Sequence, residues 1–181
     1  MEDEKKIIIK NPKTLKPLEI IIRLAKEDEI NEIIKIEEIC FPPSEAAKKE
    51  DFIERFKTFP ENFIIAENKE ENKLIGFING CTYDEPKLPD ELYHNVKLHN
   101  KNGDYQTVFG LDVLPNYRKQ GVAENLMKYL INLSKKRNKK GIVLTCKQYL
   151  IHYYEKFGFK CQGISQSTHG GAQWNDMVLL F

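Results

Sequence analysis

Six residues, Arg118-Lys119-Gln120-Gly121-Val122-Ala123, place two cations, a glycine and a small apolar residue between a strand-like run over 108–114 and a helix-like run over 124–133. A turn that enters a helix leaves backbone N–H groups without partners and presents the positive end of the helix dipole, so an anion is favoured there. Small residues at 121 and 123 let phosphate oxygens approach the amides, and Arg118 and Lys119 add positive charge at the rim. The spacing Arg-x-x-Gly-x-Ala is neither the dinucleotide fingerprint nor the Walker loop. The chemistry that fits is the seating of a pyrophosphate of another kind.

Two further groups stand around this turn. Upstream is Leu111-Asp112-Val113-Leu114-Pro115, and downstream, after another helix and strand, is Tyr153-Tyr154-Glu155-Lys156-Phe157-Gly158-Phe159. The ordered set resembles the GCN5-related N-acetyltransferase superfamily, whose hallmark is Val-x-Pro-x-x-Arg-x-x-Gly-x-Gly/Ala followed by Tyr-Glu-Lys-x-Gly-Phe. The opening Ile20-Ile21-Ile22-Arg23-Leu24-Ala25 with Asp28, and the closing Asp176-Met177-Val178-Leu179, extend the resemblance to residues 18–181. Residues 38–47 and 150–154 are most similar to the arylalkylamine (serotonin-type) N-acetyltransferases, especially microbial ones.

The resemblance implies a mixed α/β fold with a mostly antiparallel central sheet, flanking helices, and strands splayed at the coenzyme site. It implies acetyl-CoA as co-substrate. Backbone amides of Lys119, Gln120, Gly121, Val122, Ala123 and Glu124, with the Arg118 charge, would hold the pyrophosphate, while Leu111, Asp112 and Val113 would offer donors to pantetheine and the thioester oxygen. Such preset donors favour a developing oxyanion. Tyr154 would touch the coenzyme and act as general acid toward the departing thiolate, since a phenol is protonated at neutral pH.

Phe41, Pro42, Pro43 and Glu45 resemble a substrate loop, with an apolar wall and one carboxylate suited to an ammonium; the same residues also read as a proline-stiffened turn between helices. Glu45 is the tentative base or amine contact. Serotonin-type vertebrate relatives carry two histidines on the central strand, and the equivalent positions here are Thr107 and Phe109. Asp112, His94, His99, His169 and a water chain therefore stay open as routes for the amine's proton. Cys146, at a strand end, is weighed as a covalent acetyl acceptor, but nothing near it in sequence lowers a thiol pKa, so direct transfer is expected. The acceptor is expected to be a small primary amine, of arylalkylamine or polyamine type. A protein N-terminal or lysine acetyltransferase and a non-catalytic acyl-CoA-binding module are the alternatives.

These residues need a scaffold. The 181 residues suit one domain, with 1–17 a tail or edge strand and 18–181 the acetyltransferase domain. The hydrophobic pattern predicts strands over 18–24, 63–67, 73–83, 106–114, 141–146, 159–165 and 174–181, and helices over 26–39, 45–56, 121–136 and 148–157, with Ser44 capping the second helix. Residues 84–104, with Pro86, Pro89, His94 and His99, form a long connection expected to be a substrate lid or a flexible excursion.

With 28 basic and 27 acidic side chains the net charge is +1, so no nucleic-acid footprint or membrane-directed field is expected. Four cysteines, 40, 81, 146 and 161, lack metal-type spacing; no metal site is expected, and they read as buried thiols of a reducing compartment. No signal peptide or spanning apolar run is evident, and a cytoplasmic monomer or homodimer is expected.

Overall fold

The computed structural model describes residues 3–181 and divides into two compact units, 1–79 with 110–130, and 80–109 with 131–181. The first holds a five-stranded antiparallel sheet. Its strands are β1 (Lys5–Lys10), β2 (Pro17–Leu24), β3 (Ile64–Asn68), β4 (Lys73–Asn79) and, beyond the two-residue strand β5 (Thr82–Tyr83) and β6 (Tyr105–Val108) of the second unit, β7 (Gly110–Val113), in the order β1-β2-β3-β4-β7. Ile20, Ile21 and Ile22 of β2 are all buried, as an uninterrupted apolar run requires of a strand covered on both faces.

Helix α1 (Ile30–Cys40) buries Ile33, Ile34 and Ile36, and α2 (Lys49–Thr58) buries Phe52 and Phe56. Phe52 meets Phe77 of β4 edge-on at 5.9 Å, and Phe56 meets Phe63 at 5.1 Å, so aromatic contacts lock α2 onto the sheet. α1 ends at Phe41, before Pro42 and Pro43, as a residue preceding proline should. Ser44 does not cap the next helix: α2 starts four residues later than the hydrophobic pattern suggests, behind Lys48, because the 41–48 segment first makes its own turn, with Glu45 and Ala46 amides bonded to the Pro42 carbonyl.

The second unit carries β5, β6, β8 (Gly141–Cys146), β9 (Lys160–Ile164) and β10 (Asn175–Leu180), ordered β5-β6-β8-β10-β9, with β6 and β8 parallel and the other pairs antiparallel. Helix α3 (Val122–Lys136) starts in the first unit and ends in the second, which also holds the short α4 (Ile151–Glu155). The mixed, mostly antiparallel α/β fold expected from the sequence is the one observed. Two strands differ in detail. The run over 73–83 is interrupted after Asn79, and the run over 106–114 is split at Phe109, with β6 pairing β8 as far as Val108↔Leu144 and β7 pairing β4 instead.

The connection over 84–104 is folded and anchored. Leu88, Leu92 and Tyr93 are buried, Asp90 accepts from the Ser167 hydroxyl and the Thr168 amide, and the Lys139 ammonium donates to the Lys101 and Gly103 carbonyls. His99 accepts from the Thr82 amide through Nδ1, which spends that nitrogen on structure.

Gly76 sets the approach of β4 to β7: a Cβ there would stand 2.6 Å from the Asp112 carbonyl oxygen. Gly76→Ala should therefore push the strands apart and destabilise the fold by about 1–3 kcal/mol. Urea unfolding checks this as a lowered midpoint at unchanged slope; an unchanged midpoint refutes it.

Candidate active site

Among the described residues β7 is an edge strand of its sheet, paired with β4 alone. In an antiparallel pair, successive residues turn their N–H and C=O alternately toward and away from the partner. The Leu114 amide donates to the Ile75 carbonyl, so the even-numbered residues Gly110 and Asp112 face β4, while Leu111 and Val113 face the free edge. The Val113 carbonyl agrees, since it accepts from Arg118 Nε at 2.8 Å and from Cys40 Sγ at 3.4 Å. Of the three expected backbone donors, the geometry leaves two amides outward, Leu111 and Val113. The Asp112 amide is turned to β4.

Downstream, Pro115–Tyr117 forms a single 3₁₀ turn, held to β3 by Asn68 Nδ2 donating to the Tyr117 hydroxyl. Arg118 is extended, and Lys119 (φ +63°) and Gly121 (φ +83°) both adopt left-handed backbone. Gly121 is required for that φ; a Cβ on it would meet nothing closer than Asn125 Nδ2 at 3.6 Å. The Asn125 amide bonds to the Gly121 carbonyl, so the amides of Val122, Ala123 and Glu124 precede the first intrahelical bond. Gln120 does not turn its side chain outward: its Oε1 accepts from the Lys10 amide and its Nε2 donates to the Lys10 carbonyl, riveting the turn to β1.

Behind β7 lies a feature whose partners the sequence did not single out. Glu37 of α1 and Asp112 are both buried, and a Cβ placed on Gly110 would be 3.0 Å from Asp112 Oδ1 and 3.4 Å from Glu37 Oε2. Burial, then the neighbouring Glu37 carboxyl, pushes the Asp112 carboxyl well above the ordinary carboxylate range, with Arg118 opposing. Glu37 Oε1 accepts from the Ala47 amide, tying the 41–48 segment to the pair. The signal in the sequence was a carboxylate at i+4 from Ile33, on the apolar stripe of its helix.

In the second unit, Tyr154 is buried on α4, edge-on to Tyr153 at 5.2 Å and Phe159 at 5.9 Å. Thr107 donates its hydroxyl to the Cys81 carbonyl, and Phe109 lies against Tyr93, which also stacks on the His169 ring at 5.0 Å. Phe41 and Glu45 are half-buried in the first unit, and Pro42 and Pro43 exposed. Burial pushes the Cys146 thiol up to about 11, which disfavours it as a nucleophile. The expectation of four buried thiols holds for Cys81 and Cys146; Cys40 is half-buried, and Cys161 is exposed, because β9 is an edge strand open to solvent along its length. Among the described residues there is no cluster of three or more metal-ligating side chains, and no helix long and apolar enough to cross a membrane.

A family model described as "Acetyltransferase (GNAT) family" matches residues 30–159. The chain belongs to this family. It is 29% identical over 132 residues to "Probable hydrolase YhcX" of Bacillus subtilis, covering 69% of this chain and 25% of that protein. It is 31% identical over 109 residues to the serotonin N-acetyltransferase of Mesocricetus auratus, covering 60% of this chain and 51% of the relative. The chain thus spans between a quarter and about half the length of these curated relatives. Among solved structures, the chain is similar in fold to one in the NatC complex bound to Gag peptide and CoA, at 20% identity and a TM-score of 0.69, covering 90% of this chain and 98% of that one.

The raised Asp112 carboxyl has a sign. Its proton is held more tightly folded than unfolded, so its contribution to stability is fully present below the unfolded value, about 3.9, and is lost as pH rises through the folded value. Asp112→Asn should flatten the fall in melting temperature across that window. An identical pH dependence in the variant would contradict this.

Proposed function

We propose that the chain is an acetyl-CoA-dependent N-acetyltransferase that moves acetyl directly to a small primary amine. The observation that carries this reading is the left-handed turn at Lys119–Gly121, opening the amides of 122–124 beside an edge strand whose Leu111 and Val113 amides face outward. The diphosphate would lie on the turn, close to the Arg118 and Lys119 charges. The thioester oxygen would take a β7 amide, a donor already fixed before charge develops on that oxygen.

The amine nitrogen attacks the thioester carbon, the C–S bond breaks, the new amide nitrogen gives up its extra N–H proton to solvent water, and the thiolate takes a proton. Tyr154 is proposed as its donor, an assignment supported by its place directly before Glu155-Lys156-Phe157-Gly158-Phe159. The similarity to the serotonin N-acetyltransferase of Mesocricetus auratus supports a small amine as acceptor, and Phe41, Pro42, Pro43 and Glu45 are proposed as the acceptor's apolar and acidic contacts. The peptide-bound structure of similar fold supports a second reading, in which the acceptor is a protein N-terminus.

A coenzyme A release screen with tyramine-like amines, polyamines and short peptides tests the acceptor class. Small amines should be turned over with the higher kcat/KM; a preference for peptides overturns that part of the reading. Gly121→Val should weaken acetyl-CoA affinity about tenfold or more, since strain of roughly 1–3 kcal/mol at a left-handed position opens the turn. Calorimetry giving unchanged affinity would remove the diphosphate from this turn. Tyr154→Phe should lower kcat about 100-fold with acetyl-CoA affinity intact. Retained turnover in that variant would dismiss the phenol as the acid.

A further inference from the structure

The β4–β7 register pairs Phe77 with Asp112 and Asn79 with Gly110. Directly opposed residues project to the same face, so Asn79 and Asp112 share one face, with Gly110 contributing no side chain between them. Into that space α1 projects Glu37, since one point above Gly110 lies within 3.0 Å of Asp112 Oδ1 and 3.4 Å of Glu37 Oε2.

Asn79 and Asp112 are each 1% exposed. Among the described residues Asn79 Oδ1 and Nδ2 have no hydrogen-bond partner, and neither Asp112 oxygen receives a donor. A buried polar group left unpaired costs about 1–3 kcal/mol, and native proteins meet such groups with a bound water or a shared proton. An amide that can both donate and accept, on the same sheet face as the neighbouring carboxyls of Asp112 and Glu37, provides for both. A water held there would accept from Asn79 Nδ2 and donate one hydrogen to Asn79 Oδ1 and the other to a carboxylate, and one proton would bridge Glu37 and Asp112.

We propose that Glu37, Asn79 and Asp112 cage a buried water and form the sink that receives the proton of the acceptor ammonium. This rests on the acetyltransferase reading above and names the base which that reading lacks. The pair begins with one proton and one negative charge. One N–H bond of the ammonium breaks, the proton passes through water, and one O–H bond forms on the second carboxyl, leaving the pair neutral and the amine free to attack. The proton returns to solvent after transfer. Asp112 sits between Leu111 and Val113, so the sink is on the same strand as the amides proposed to hold the thioester. The titratable and charged groups facing Asp112 are Glu37 and Cys40 from α1 and Arg118 from the turn. Burial, then the neighbouring Glu37 carboxyl, raises the proton affinity of Asp112, the direction a carboxyl base requires.

The wild-type protein should show, by infrared spectroscopy at neutral pH, a protonated-carboxyl band that shifts in heavy water and disappears in Asp112→Asn and in Glu37→Gln. In amine turnover, Asp112→Asn should lower kcat about 100-fold, remove the acidic limb of the kcat/KM profile and leave acetyl-CoA affinity within about threefold. Asn79→Leu, which displaces the water and leaves both carboxyls, should lower kcat about tenfold or more. A merely structural pair would leave the acidic limb in place. Absence of the band in the wild type, or variants with unchanged kcat and acidic limb, overturns the proposal while acetyl transfer stands. Binding of acetyl-CoA with no turnover of any amine overturns both, and is told apart by that silence.

Discussion

The hydrogen-bond register between β4 and β7 is the constraint on which the rest of the candidate site depends. Because the Leu114 amide is committed to Ile75, alternation fixes which main-chain donors of β7 are used inside the sheet and which are left at its edge. The same register decides the side chains: Asp112 and Gly110 are turned to the α1 face, beside Asn79. A slip of one residue would exchange the two sets, burying the Leu111 and Val113 amides and exposing the carboxyl. Gly76 makes the register possible by letting the two backbones come close.

The turn that follows is held from three sides. Tyr117 ties it to β3, Arg118 Nε ties it back to the Val113 carbonyl, and Gln120 ties it to the Lys10 backbone. Lys119 is kept in a conformation a lysine seldom adopts, and the surrounding bonds over-determine it. β1 is therefore more than an extra edge: its last residue is part of the support on which the amides of 121–124 are presented.

Much of this was legible in the sequence, because local chemistry dictates it. The glycine at 121 was legible as room for an anion against the amides, with its left-handed φ a further reason seen only in the structure, and the strands over 18–24 and 141–146 follow from apolar runs. The interruption at Phe109 was not legible, since 106–114 reads as one continuous strand and only tertiary pairing divides it between two partners. Ser44 looked like a cap because serine before an acidic residue fits the pattern, but the prolines before it had already committed the backbone to a separate turn. Glu37 and Asn79 carried weak signals, a carboxylate on an apolar helical stripe and an amide at a strand end. Their meaning appears only when α1 and β4 are brought to the same face of β7. The histidines went the other way: His99 looked available and is engaged with the Thr82 amide.

The unequal exposure of the four thiols has a practical side. Burial pushes up the thiols of Cys40 and Cys146, and Cys81 is enclosed, whereas Cys161 stands in water on the outer strand β9. A maleimide dye or spin label added briefly under native conditions would accordingly react first at Cys161, ahead of the half-buried Cys40, far in sequence from the turn at 118–123, and would give spectroscopists a reporter without engineering the chain.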